Sequence, residues 1–137
     1  MKVGDVVFAF RLLSGAKLSK MDDADKFKVI KATRAFRTTA KDFDEFLKDA
    51  QEKLKPENFE EMQESAKNMK DLSEEDKAKL NAFFSDYQKK IESCIEEETK
   101  KEVETVFEKL SEDAFGKLVS SNDFTVNDIM ALQDALC

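Results

Sequence analysis

The chain has 137 residues, a net charge of −7, no histidine or tryptophan, one proline and three glycines. Without histidine it lacks the commonest general base and zinc ligand, and every Ser-His or Cys-His nucleophile pair; Cys94 and Cys137 cannot supply four thiolates for zinc. Gly4, Gly15 and Gly116 are too scattered for a phosphate loop, so no enzyme, metal or cofactor is expected.

With 41% hydrophobic residues and twelve Phe, the chain can build a core despite 39% charge, which argues against disorder. Its length suits one domain over residues 1–137. That domain divides into an N-terminal helix and connection (1–21), a long helical core (22–98) and a smaller C-terminal part (99–137). No apolar run approaches the ~20 residues of a membrane span, so no membrane partner is expected. Asp5 and Arg11 interrupt the opening MKVGDVVFAFRLLSG, which makes a cytoplasmic chain a better reading than a leader segment.

In chain order, Asp5 is the expected cap of a first helix that ends near Gly15. Val6, Phe10 and Leu13 form its stripe, widened by Val7 and Phe8. A long helix follows from Asp22 or Asp23. Val29, Phe36, Phe43 and Ala50 repeat every seven residues, with Thr33, Ala40, Leu47 and Leu54 between them. Such 3–4 spacing marks a helix packed lengthwise in a bundle. Phe27, Ile30 and Phe46 are read as lying beside that stripe. Lys55-Pro56 ends the helix, and Pro56 is expected in the first turn of a shorter helix bearing Phe59, Met62, Ala66 and Met69.

Ser73, with Asp76 three residues on, predicts a cap for the next helix, which carries Leu80, Phe84, Tyr87, Ile91 and Cys94. The two long stripes predict an antiparallel helical hairpin in a mainly α bundle. Residues 96–102 lack an apolar side chain, so the helix there is either solvated or ends. Residues 103–108 fit two readings: Val103, Thr105 and Phe107 alternate as in a strand, while Val103, Phe107 and Leu110 fit a helix. Ser111 can cap a short helix with Ala114, Phe115, Leu118 and Val119. SSND at 120–123 reads as a loop. Thr125 caps the last helix, with Asp128 at its third position and Phe124 placed to pack on Ile129.

Charge is uneven along the chain: residues 1–40 carry +5 and residues 41–137 carry −12. Lys31, Arg34, Arg37, Lys41 and Lys48 form a candidate basic face. Ion pairing with acidic helices is its expected use, and phosphate contact is the alternative. Glu57, Glu60, Glu61 and Glu64 share a face best read as solvated. Phe8, Phe83, Phe115 and Met130 lie beyond the main stripes and are candidate partner contacts, with core packing as the competing reading.

The segments FAFRLL, FKVIKATRAFRTTAKDFDEF and FTVNDIMALQDAL, in this order, are similar to those of small, mainly helical phage and prophage proteins of unknown function. The resemblance implies a helical hairpin, a small mixed segment in which VETVFEKL is a strand, and a terminal helix. It implies a non-enzymatic structural or assembly protein, a virion component or cytoplasmic factor acting through helix-mediated protein contacts or self-association. No small-molecule substrate is expected. The alternative is an acidic inhibitor or nucleic-acid mimic that binds a basic host protein. A nucleic-acid adaptor using the basic face ranks below both.

Overall fold

A computed structural model describes residues 1–137, the side chain of Met69 excepted. The chain is a mainly α-helical bundle with no sheet among the described residues. Its helices are α1 (Val3–Ser14), α2 (Asp23–Leu54), α3 (Phe59–Lys67), α4 (Glu74–Thr99), α5 (Glu112–Ser120) and α6 (Val126–Leu136), with a 3-10 turn at Met69–Asp71. The place of Met69 in the expected stripe lies outside the described residues. No helix is long and apolar enough to cross a membrane among the residues described.

The chain divides into two compact units, Met1–Asp44 with Glu98–Cys137, and Glu45–Glu97. α2 begins in the first unit and ends in the second, and α4 begins in the second and ends at the start of the first unit's C-terminal part.

The first unit holds the main core. Val6, Ala9 and Leu13 of α1 meet Val29, Ala32 and Phe36 of α2, together with Leu118 of α5 and Leu132 and Leu136 of α6. Every one of these residues sits at helical spacing, so each helix presents one apolar stripe inward. Gly4 lets α1 approach the end of α4, since a Cβ there would lie 3.1 Å from the Thr99 Cβ.

In the second unit α3 has no buried residue, and Phe59, Phe84 and Tyr87 form a half-buried aromatic cluster. The ring centroids of Phe59 and Phe84 are 5.9 Å apart in an edge-to-face arrangement, and Phe59 and Tyr87 are 5.1 Å apart. The Tyr87 hydroxyl donates to the Gln51 carbonyl at 2.8 Å, tying α4 to the last turn of α2.

Three caps stand as expected. The Ser73 hydroxyl accepts from the Asp76 amide, and the Ser111 hydroxyl from the Ala114 amide, each at 3.2 Å. Thr125 and Asp128 close a reciprocal capping box at 3.2 Å in both directions. Phe124 and Ile129 both pack, partly buried, against the core.

Other expectations are corrected. Asp5 is not the cap of α1, which starts at Val3 with Lys2 before it and no side-chain cap. Backbone pairing sets that start instead: the Val3 amide donates to Lys101 at 2.9 Å. Pro56 precedes α3 rather than opening it, its carbonyl accepting from the Phe59 amide at 3.1 Å in a turn. Cys94, on the expected stripe of α4, reaches only half-burial.

Residues 103–108 are not helical. They form no helix, strand, turn or bend and follow an isolated antiparallel bridge between Lys2 and Glu102. Phe107 explains the choice, because its ring sits edge-on to Phe36 with centroids 4.9 Å apart. Exposure alternates as the strand reading expected, with Val103, Thr105 and Phe107 half-buried and Glu104, Val106 and Glu108 exposed, but the segment forms no strand.

Candidate contact surfaces

Of the four predicted contact residues, two remain open. Phe8 on α1 is 41% exposed and Met130 on α6 is 58% exposed. Phe8 shares a concavity with Asp5, Ala131 and Asp134, so it lies at the junction of α1 and α6. Phe83 is half-buried in the second unit, 5.3 Å from Phe84 and 6.4 Å from Phe59. Phe115 is 7% exposed and belongs to the core of the first unit, which matches its packing reading and leaves it no surface to offer. Phe83 therefore joins neither Phe8 nor Met130 in a shared patch within one unit.

The basic residues behave differently from the expected ion-pair face. Lys31, Arg34, Arg37, Lys41 and Lys48 are all exposed along α2. Among the described residues none of the five makes an ion pair. The cations of α2 that do pair are Lys26 with Asp23 at 4.0 Å and Lys28 with Glu108 at 3.4 Å. Lys48 falls in the second unit and the other four in the first.

Residues 26–41 contain six cations and no carboxylate, although the whole chain carries −7. Lys31, Arg34 and Arg37 have no carboxylate at i±3 or i±4, the pairing that normally quiets a charged helix face, whereas Lys26, Lys28 and Lys41 do.

Sequence reasoning missed the apolar members of this surface. Phe27 is 62% and Ile30 43% exposed. Phe27 lies nine residues from Phe36, about 180° around the helix at about 100° per residue. It therefore points away from the core, on the line of Arg34 and Lys41 at seven-residue spacing. Ile30 stands in the same relation to Arg37. A wheel centred on Phe36 would have found both residues; reading them as flanks of the wide stripe hid them.

The acidic residues Glu60, Glu61 and Glu64 are exposed and line an open concavity on α3 with Lys67. Among the described residues no three Cys, Asp or Glu side chains converge as a metal site needs. Lys117 sits 3.4 Å from Asp113 and 3.8 Å from Asp22. Asp113 first, and Asp22 second, raise its pKa above the ordinary lysine value. That cluster is a salt-bridged surface group.

No protein-family model matches the chain, and neither a curated protein nor a solved structure does. Its functional reading is carried by these surfaces.

Proposed function

We propose that the chain is a non-enzymatic contact protein whose working surface is the outward face of α2, and that it takes an acidic, partly apolar protein partner. The carrying observation is the exposed pair Phe27 and Ile30 set among Lys31, Arg34, Arg37 and Lys41, none of which makes an ion pair among the described residues. Aromatic and Arg side chains are the usual anchors of protein interfaces. Guanidinium groups also pair bidentately with carboxylates. Ile30 has no face on which a base can stack, and the single ring of Phe27 is short of a stacking platform, which favours a protein over nucleic acid.

The similarity to small phage and prophage proteins supports a structural or assembly setting, in the host cell or the virion. Residues 45–97 hold nine Lys/Arg against fifteen Asp/Glu, so a second copy is the first acidic surface to test. Light scattering coupled to size exclusion, at low and high salt, is the direct measurement. A discrete oligomer should be dissolved both by Phe27→Ser with Ile30→Ser and by Arg34→Glu with Arg37→Glu.

If the chain is monomeric in both salts, a photocrosslinker at Thr38 should capture a foreign acidic protein in the native source. The reading fails if neither measurement yields a protein partner. A mobility shift of DNA abolished by Arg34→Glu with Arg37→Glu would replace it with nucleic-acid binding.

A further inference from the structure

The exposed face of α2 repeats as regularly as its buried one. Asp23, Phe27, Ile30, Arg34, Arg37 and Lys41 are separated alternately by four and three residues, and all of them are exposed. That spacing holds side chains in one line along a helix, and it is the spacing of a seam that receives a second helix. From Phe27 to Lys41 the line is about 21 Å long, at about 1.5 Å per residue. The buried stripe through Val29 and Phe36 lies on the opposite side, so the core makes no use of the outward line.

A hollow sits on this line, lined by Asp23, Lys26, Phe27 and Ile30. These residues stand at i, i+3, i+4 and i+7, the four corners of the hole into which a facing helix inserts one side chain. Phe27 and Ile30 make two corners apolar, and Lys26 reaches to 4.0 Å from Asp23 across the other two. Seven residues further on, Ile30, Thr33, Arg34 and Arg37 repeat the same four-cornered spacing. The first hole suits an apolar side chain. The second carries two guanidinium groups and suits a carboxylate.

Resting on the reading of α2 as the working surface, we infer that its occupant is one amphipathic α-helix of a partner protein, acidic in one half and apolar in the other. It lies lengthwise on the line from Phe27 to Lys41. The backbone groups of α2 are bonded within the helix, so α2 offers no edge to an extended segment. The direction follows from the partner's own stability, because acidic side chains favour the N-terminal end of a helix. With its acids over Arg34, Arg37 and Lys41 and its apolar side chains over Phe27 and Ile30, the partner runs antiparallel to α2.

A second copy of α2 covers the line incompletely. Antiparallel pairing that sets Phe27 on Ile30 also sets Asp23 opposite Arg34. However, α2 starts at Asp23, so no helix reaches Arg37 and Lys41. The same register brings Lys26 against Lys31 of the other copy, and like charges repel.

The test is a titration of the 15N-labelled full chain with acetyl-AEAQEAQAEAQLAQALAQ-amide, whose Glu and Leu repeat at the spacing of the α2 line. The expected result is movement of the Phe27, Ile30, Arg34 and Arg37 amide resonances. Acetyl-AAEQAEQAAEQLAQALAQ-amide has the same composition with its acids rotated off the line. Acetyl-AEAQEAQPEAQLAQALAQ-amide keeps the acids in place and breaks the helix with proline. Each should bind about tenfold more weakly than the first peptide, a difference of about 1.4 kcal/mol. A nitroxide at the N-terminus of the first peptide should broaden Arg37 and Lys41 and spare Phe27; the reverse pattern overturns the antiparallel placement. Arg34→Glu with Arg37→Glu should transfer the preference to acetyl-AKAQKAQAKAQLAQALAQ-amide.

Equal binding of the rotated or the proline peptide overturns the helical occupant and leaves the α2 reading in place, since the acids still find the surface. No movement along α2 with any peptide also overturns it, and the α2 reading then stands or falls on its own oligomer and crosslinking measurements. Concentration-dependent movement of Phe27 and Ile30 without peptide overturns it in favour of a second copy. The peptide controls act on the unaltered protein, so these outcomes do not depend on whether a variant folds.

Discussion

Residues 1–44 with 98–137 and residues 45–97 spend similar kinds of side chain on different ends. In the first unit, Phe36, Leu118, Leu132, Leu136, Val6 and Val29 are almost wholly sealed from water, and α1, α2, α5 and α6 all contribute to one cluster. In the second, the buried residues among those described are Ala50, Leu80 and Ile91, and five aromatic rings remain half-buried. Burial is worth about 25 cal/mol per Å² of apolar surface, so stability concentrates in the first unit. The difference teaches that helix alone does not hold a helix: α3 has an apolar stripe, yet its residues reach only half-burial. A region with few buried contacts opens locally at lower cost than the global unfolding free energy.

The comparison is broken most directly by truncating a ring in each unit. Phe36→Ala should cost about 3–5 kcal/mol, the range for a sealed aromatic side chain, and should lower the urea midpoint of the whole chain. Phe84→Ala should cost about 1–2 kcal/mol, because a half-buried ring has already left part of its surface in water. Equal losses would show that the half-buried cluster is as structural as the core. A smaller effect comes from the cap of α6: Thr125→Ala removes the acceptor for the Asp128 amide and should cost about 1 kcal/mol. Smaller again is Tyr87→Phe, which deletes the exposed hydrogen bond to Gln51 and should cost about 0.5–1 kcal/mol. Its loss should appear as faster amide exchange in residues 45–97 with little change in α5 and α6.

Where local chemistry decided the outcome, the sequence was legible. Pro56 ended α2, and Ser73, Ser111 and Thr125 capped their helices, because each acts within a few residues of itself. The start of α1 was not legible, since it depends on Lys101, nearly a hundred positions away. The state of residues 103–108 was balanced between two periodicities until Phe36 supplied the partner ring for Phe107. The candidate surfaces were legible in part. All five cations lie exposed where the spacing put them, but their lack of ion pairs depends on which carboxylates come near, and no spacing rule reports that. Phe115 was a candidate contact because it lies beyond the main stripes; it is buried because it belongs to the core cluster that α1, α2, α5 and α6 build together.

The two thiols offer the finest probe of the same contrast, since one lies in each unit. Cys94 is half-buried on α4, and Cys137 is exposed at the end of α6. Alkylation of Cys94 should speed up in urea concentrations below the global midpoint, reporting the opening of residues 45–97. If it speeds up only with global unfolding, the two units form one cooperative structure and the contrast fails.

Cys137 is limited by its proton instead. Partial burial first, and the nearby Glu112 carboxylate second, push its pKa above the ordinary thiol value, with Lys109 pulling the other way. Thiolate is the nucleophile, so iodoacetamide at mildly alkaline pH should label Cys137 more slowly in the folded chain than in urea. That gap should close as the pH rises. The folded chain holds this proton more tightly than the unfolded one. The stability linked to it is therefore intact below the ordinary thiol pKa and is lost as the pH climbs through the raised folded value. Glu112→Gln removes one of the two raising influences, so it should narrow the rate difference at Cys137 and leave Cys94 unchanged. A change at Cys94 as well would mean that the two units share more than the chain that joins them.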